Sequence, residues 1–162
     1  MTDTEQEVRD QIRSLLDSQR LAVLATQCAG QPYTSLMAFA YTDDLRRIVV
    51  ATGQATRKRG NMEQDPRVCL LIDNRANSAD DFHQASALTA VGRARQVDGD
   101  DAASELRRCY LQRHPTLQQF VCSPTTVLLA IEVSHYLLVN RFQHVFELRL
   151  VDERESFPPV AS

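Results

Sequence analysis

The residues best suited to chemistry in this chain gather in Thr56-Arg57-Lys58-Arg59-Gly60-Asn61, which holds the only lysine of a sequence with formal net charge -3. Three adjacent cations with a threonine before and an asparagine after suit a phosphate dianion. Guanidinium and ammonium groups supply charge-assisted donors, and the hydroxyl and amide fix orientation. A helix opening here adds its free backbone N–H groups to the same site, and Lys58 and Asn61, three apart, share one of its faces. An isolated Arg-Lys-Arg triplet is otherwise a solvated helix start, so the case depends on the elements around it.

Those elements follow from apolar spacing. Val8, Ile12, Leu15 and Leu16 recur at helical intervals, so residues 4–18 read as an amphipathic helix within an N-terminal segment 1–19. Leu21–Thr26, Tyr33–Tyr41 and Arg46–Ala51 read as an antiparallel meander, with turn residues at Cys28-Ala29-Gly30-Gln31-Pro32 and at Tyr41, Asp43 and Asp44. The basic segment continues as a short helix through Glu63, and Asp65-Pro66 stops it, because the residue before proline avoids helical geometry. Strands follow at Arg67–Asp73 and Ala87–Val97, with a loop over 74–84 between them and Gly92 as a bulge or close-approach candidate. Asp100 or Asp101 caps a helix carrying Leu106, Cys109 and Tyr110. Thr125–Asn140 is a long β segment, and Phe146, Leu148 and Leu150 alternate with polar residues as a half-buried strand. Residues 152–162 read as a loose tail. Six to seven mostly antiparallel strands with three helices predict a mainly β protein, a barrel flanked by helices, as one domain over 1–162.

Composition excludes several classes. The 162 residues are 43% apolar, enough for one domain with a sizeable core. No apolar run approaches the ~20 residues that span a bilayer. The acidic, polar start Met1-Thr2-Asp3-Thr4-Glu5 is unlike a signal peptide, so a cytoplasmic protein without membrane contact is expected. Cys28, Cys69, Cys109 and Cys122 lack metal-ligand spacing and read as buried free thiols ahead of a disulfide pair. His83, His114, His135 and His144 form no cluster, so no metal site is expected. Negative charge, no tryptophan and dispersed arginines argue against nucleic-acid binding.

The ordered pieces Leu24-Ala25-Thr26, Gly30-Gln31-Pro32-Tyr33, Thr52, Thr56-Arg57-Lys58, Asp65-Pro66-Arg67-Val68-Cys69-Leu70-Leu71 and Ala90-Val91-Gly92-Arg93-Ala94 together resemble the FMN-binding split-barrel family, of the pyridoxamine 5'-phosphate oxidase-like type. The resemblance implies a split β-barrel that binds FMN as a homodimer, each cofactor at the subunit interface and completed by residues of the second subunit. It places the FMN phosphate on Thr56, Arg57 and Lys58, a flavin contact on Thr52, and the isoalloxazine ring along the backbone of Ser35, Leu36, Met37 and Ala38. Asn61 and Arg141, the latter in Val139-Asn140-Arg141-Phe142, are further cofactor contacts that it implies.

Departures from the oxidase pattern bear on the substrate. Its Arg-x-x-Leu-Leu-Lys strand has Ser35 at the arginine position and Ala40 at the lysine position, tryptophan is absent, and no Arg-x-His closes the chain. The implied activity is therefore that of an FMN-dependent oxidoreductase or flavin reductase on an unidentified small molecule other than pyridoxamine phosphate, with no catalytic acid or base assigned. Two alternatives remain. One is a haem-binding or haem-degrading split barrel, with His135 or His144 as axial ligand. The other is a non-enzymatic flavin store or redox sensor.

Overall fold

The computed structural model describes residues 3–99, 101–141 and 143–151; Asp100 and the expected tail at 152–162 lie outside them. Seven strands form one antiparallel sheet: β1 (Leu21–Cys28), β2 (Gln31–Tyr41), β3 (Arg47–Gly53), β4 (Arg67–Asp73), β5 (Ala87–Gln96), β6 (Thr126–Asn140) and β7 (His144–Arg149). Their order is β3-β2-β1-β4-β5-β6-β7, and a β3–β6 pairing closes the first six into a barrel. The expected meander is present. The spacing of the strands did not reveal that β3 turns from β2 to β6. β3 meets β2 only at Phe39↔Val50, Ala40↔Val49 and Tyr41↔Ile48, but meets β6 from Arg47↔Glu132 to Gly53↔Thr126.

Strand alternation builds the core. Ala22, Leu24 and Thr26 of β1, Met37 and Phe39 of β2 and Leu70 and Ile72 of β4 are all buried. On β6 the inward set shifts from Val127, Leu129, Ile131 and Val133 to Tyr136 and Leu138. A bulge opposite Val91/Gly92 inserts the extra residue that changes parity, so both halves keep apolar side chains inside. Gly92 is the close approach the sequence suggested: a Cβ there would lie 2.2 Å from the Glu132 carbonyl oxygen. The β1–β2 hairpin turns on Ala29 and Gly30, with φ +50° and +81°, the paired positive values that tight two-residue hairpins require.

Helices close the two ends and one side. Helix α1 (Asp3–Ser18) sets Val8, Ile12, Leu15 and Leu16 into the barrel core. It is fastened there by Asn140 Nδ2 donating to Gln11 Oε1 and by Tyr41 Oη donating to Asp17 Oδ1. Tyr41 thus ends β2 rather than occupying the turn. Helix α2 (Arg57–Gln64) stands at the opposite end. The expected loop after β4 contains a short helix, α3 (Asp81–Gln84). Helix α4 (Asp101–Arg113) covers Ala40, Val49, Ala51 and Ala130 with Leu106 and Tyr110, forming a second apolar cluster. A 3-10 turn (Pro115–Leu117) and α5 (Gln118–Val121) follow. Both were missed because three or four residues are too short to show helical periodicity. The cysteines correct an expectation: all four are free, but Cys28, Cys69 and Cys109 are only half-buried and Cys122 is exposed. No helix among the described residues is long and apolar enough to cross a membrane.

Candidate functional site

Beyond Phe39 and Val50, β2 and β3 part. The edge of β2 over residues 31–38 has β1 on one side and, among the described residues, no strand on the other. This leaves backbone donors and acceptors on an open strand edge, on the strand that α2 also contacts. Ser35 stands on this stretch, and its hydroxyl oxygen is buried without a hydrogen-bond partner among the described residues. Met37 is in the core and Leu36 is 66% exposed on the outer face. These residues therefore present backbone rather than side chains at this open edge.

Thr56 caps α2. Its backbone is extended, its Oγ1 accepts the Arg59 N–H at 3.3 Å, and the same hydroxyl donates to the Gly53 carbonyl at 3.1 Å. A hydroxyl has one proton, so Thr52 must be the donor in the 3.1 Å contact between the two threonines. The amides of Arg57 and Lys58 come too early in the helix for an intrahelical carbonyl. Arg57 lies 5.8 Å from the Tyr33 ring centroid, which steers it toward β2. Lys58 is half-buried, and no ion pair reaches it among the described residues.

The third cation of the triplet has another role. Arg59 Nη2 donates to Gln96 Oε1 and pairs with Glu63 Oε1 at 3.0 Å, tying α2 to β5. Asn61 is buried and donates through Nδ2 to Thr26 Oγ1 at 3.0 Å. The polar floor of the mouth therefore includes Thr26, which the sequence reading passed over. Its signal was a hydroxyl on the inward parity of Leu21-Ala22-Val23-Leu24-Ala25-Thr26. Just past α2, Asp65 binds the Arg67 guanidinium at 2.9 and 2.6 Å and also accepts from Gln27. The Arg67 hydrogen bonds hold its carboxyl down to about 2.

The fold thus gathers Thr52, Thr56, Arg57, Lys58, Asn61 and the free edge of β2 at one mouth. Arg141 is elsewhere. β6 begins beside Gly53 and runs 15 residues before reaching it, on the order of 45 Å of strand. Arg141 is exposed at the α1 end, with φ +43°. A chain of this topology cannot bring it to its own α2. His135 is 3% exposed, its Nδ1 lies 3.0 Å from Ser134 Oγ, and burial lowers its pKa. His144 is exposed on β7. Ala40, at the oxidase's lysine position, is 1% exposed in the α4 cluster, where the space for a lysine chain is already filled.

Residues 8–140 match the family model described as pyridoxamine 5'-phosphate oxidase. The chain belongs to that family. A Schizosaccharomyces pombe protein described as a pyridoxamine 5'-phosphate oxidase homolog is 34% identical over 80 residues, 43% of this chain and 41% of that protein. In three dimensions the barrel is similar to a heme binding protein from Mycobacterium smegmatis (TM-score 0.77, 17% identity, 92% of this chain and 59% of that one). It is also similar to a FAD-binding protein from Mesorhizobium loti (TM-score 0.64, 18% identity, 79% of this chain and 89% of that one). The chain thus spans less than two thirds of the yeast relative and of the mycobacterial protein. At these identities the structural likenesses establish the split-barrel fold, in a family with both flavin- and haem-binding neighbours.

Proposed function

We propose that this chain binds FMN and serves as an oxidoreductase of the pyridoxamine 5'-phosphate oxidase-like type on a small molecule. The observation that carries this reading is the junction of a capped α2 N-terminus, bearing Lys58, with the edge of β2 and the buried Ser35 hydroxyl, all three without a partner among the described residues. Thr56, Arg57 and Lys58 would hold the phosphate through charge, hydroxyl and helix amides. Thr52 would orient the ribityl side. Ser35 to Ala38 would line the ring with backbone groups and give the Ser35 hydroxyl its missing partner. Bound FMN would supply hydride and electron transfer, which no side chain here performs. Ser35 and Ala40, in place of two cations of the oxidase pattern, favour a substrate other than pyridoxamine phosphate.

A homodimer belongs to this proposal. Leu36, Val23 and Leu71 stand in one cross-strand row on the outer sheet face, with Leu36 66% and Leu71 38% exposed and Leu21 50% exposed nearby. A second copy would cover this apolar row, and only a second copy could bring Arg141 to the mouth. Sedimentation of the protein and of its Leu36→Asp variant tests this. A monomeric native protein would remove the shared site.

A visible spectrum before and after adding FMN or haem tests the cofactor. Bound-flavin bands support the proposal. A Soret band without flavin uptake would replace it with the haem reading and direct ligand mutagenesis to the exposed His144 before the buried His135. Flavin uptake without NADH or NADPH turnover would leave a flavin store or sensor.

A further inference from the structure

We infer that the outer face of the sheet carries a separate binding site for a small organic anion, with a carboxylate or phosphate group held by Arg46 and Arg93. A cavity of about 650 Å³ opens there, lined by Arg46, Arg47, Arg67 and Arg93, with Glu132 the one acid of its lining among the described residues. Its size suits a small organic ligand. Four arginines gathered in one concavity contrast with a chain whose formal charge is -3.

The four arginines are not equivalent. Asp65 neutralises Arg67 through side-chain hydrogen bonds to both carboxylate oxygens, and Glu132 pairs with Arg47 at 3.4 Å while also holding Arg95 at 3.1 Å. Arg93 has no ion pair among the described residues, and Arg46 makes no direct ion pair there, although its charge acts on the nearby Asp44 carboxylate. Their guanidinium groups keep the planar donor fork that matches a carboxylate or phosphate. Ala25, Cys69 and Val91 supply an apolar wall beside them, and burial raises the Cys69 thiol, which keeps it neutral. The ligand class is therefore an acid with an apolar body.

The backbone accounts for the concavity. The extra residue of β6 opposite Val91/Gly92 bends the sheet at this place. Gly92 lets β5 approach the Glu132 carbonyl more closely than any side chain would permit. Ser134 holds the bulge by donating to the Val91 carbonyl at 3.1 Å. Ala25, Cys69 and Arg93 lie on the opposite face of the sheet from Asn61, while Thr26 and Pro32, beside the flavin mouth, also line the cavity, so a Lys58→Ala control separates this site from flavin binding.

The test is a fluorescence titration of the full chain with 8-anilinonaphthalene-1-sulfonate, an apolar anion, against uncharged N-phenyl-1-naphthylamine. Saturable binding of the anion is expected, weakened about tenfold by Arg46→Gln or Arg93→Gln. Lys58→Ala and Arg75→Gln should leave it unchanged, and the uncharged dye should not distinguish among the variants. No saturable binding, equal binding in the Arg46 and Arg93 variants, or loss of binding in Lys58→Ala would overturn the inference.

Discussion

β2 crosses two environments within 11 residues. At Phe39–Tyr41 it has β3 on one side, the Phe39 N–H reaches the Arg20 carbonyl before β1 on the other, and Phe39 and Ala40 are fully enclosed. Over residues 31–38 it has β1 alone, its side chains are largely exposed, and one buried hydroxyl lacks a partner. In the first region the ladder satisfies the backbone and apolar packing satisfies the side chains. In the second, polar groups are left over because β3 has gone to β6. The lesson is that the split is created by where a neighbouring strand pairs, while the local sequence of β2 stays strand-like throughout.

Substitutions at the two ends of β2 should separate stability from ligand binding. Phe39→Ala, in the closed region, should cost about 3–5 kcal/mol, read as a lower urea midpoint with flavin retention falling only as the protein unfolds. An unchanged midpoint would mean that the closed region is not the fold's anchor. Lys58→Ala, at the open end, should do the reverse. Its unfolding midpoint should stay within experimental error while FMN affinity drops by about one to two decades, as expected for a charge-assisted contact; native affinity in this variant would remove Lys58 from the site.

Ser35→Ala sharpens the contrast, because its two effects should have opposite signs. Removing a buried hydroxyl without a partner should leave stability unchanged or raise it by up to about 1 kcal/mol. The same change should weaken FMN binding several-fold in an equilibrium titration. A loss of stability would show that the hydroxyl is already satisfied in the free protein.

The smallest expected effect concerns pH. Asp65 has an ordinary value of 3.8, pulled to about 2 in the fold by Arg67. A depressed carboxyl contributes stability that is present above the unfolded value and lost as pH falls through the folded one. Acid unfolding should therefore carry a component between about pH 4 and pH 2 that Asp65→Asn removes. An unaltered acid limb would show that this exposed pair contributes nothing to folding.

Most elements were legible in the sequence, with boundaries displaced by a residue or two at several of them. Arg67–Asp73 stands as read, and α1 and β2 gain residues at their starts. Alternation and helical spacing are local properties, so a linear reading recovers them. The basic turn that opens α2 was legible for the same reason: Thr56, Arg57 and Lys58 are consecutive, and a threonine before a short helix caps it by local geometry. What consecutive residues do once folded was less legible. Arg57, Lys58 and Arg59 look alike in a row, yet one is drawn to Tyr33, one meets no ion pair among the described residues, and one is bound to Gln96 and Glu63.

The sequence by itself determined the strands, the cap and the basic turn of α2, because each depends on neighbours within a few residues. The tertiary structure alone decided that β3 leaves β2 for β6, that Asn61 reaches Thr26 across 35 residues, and that Arg141 lies at the far end from Lys58. Those outcomes depend on barrel closure and on a bulge that resets strand parity. Both are set by pairing between distant segments, which no local periodicity encodes.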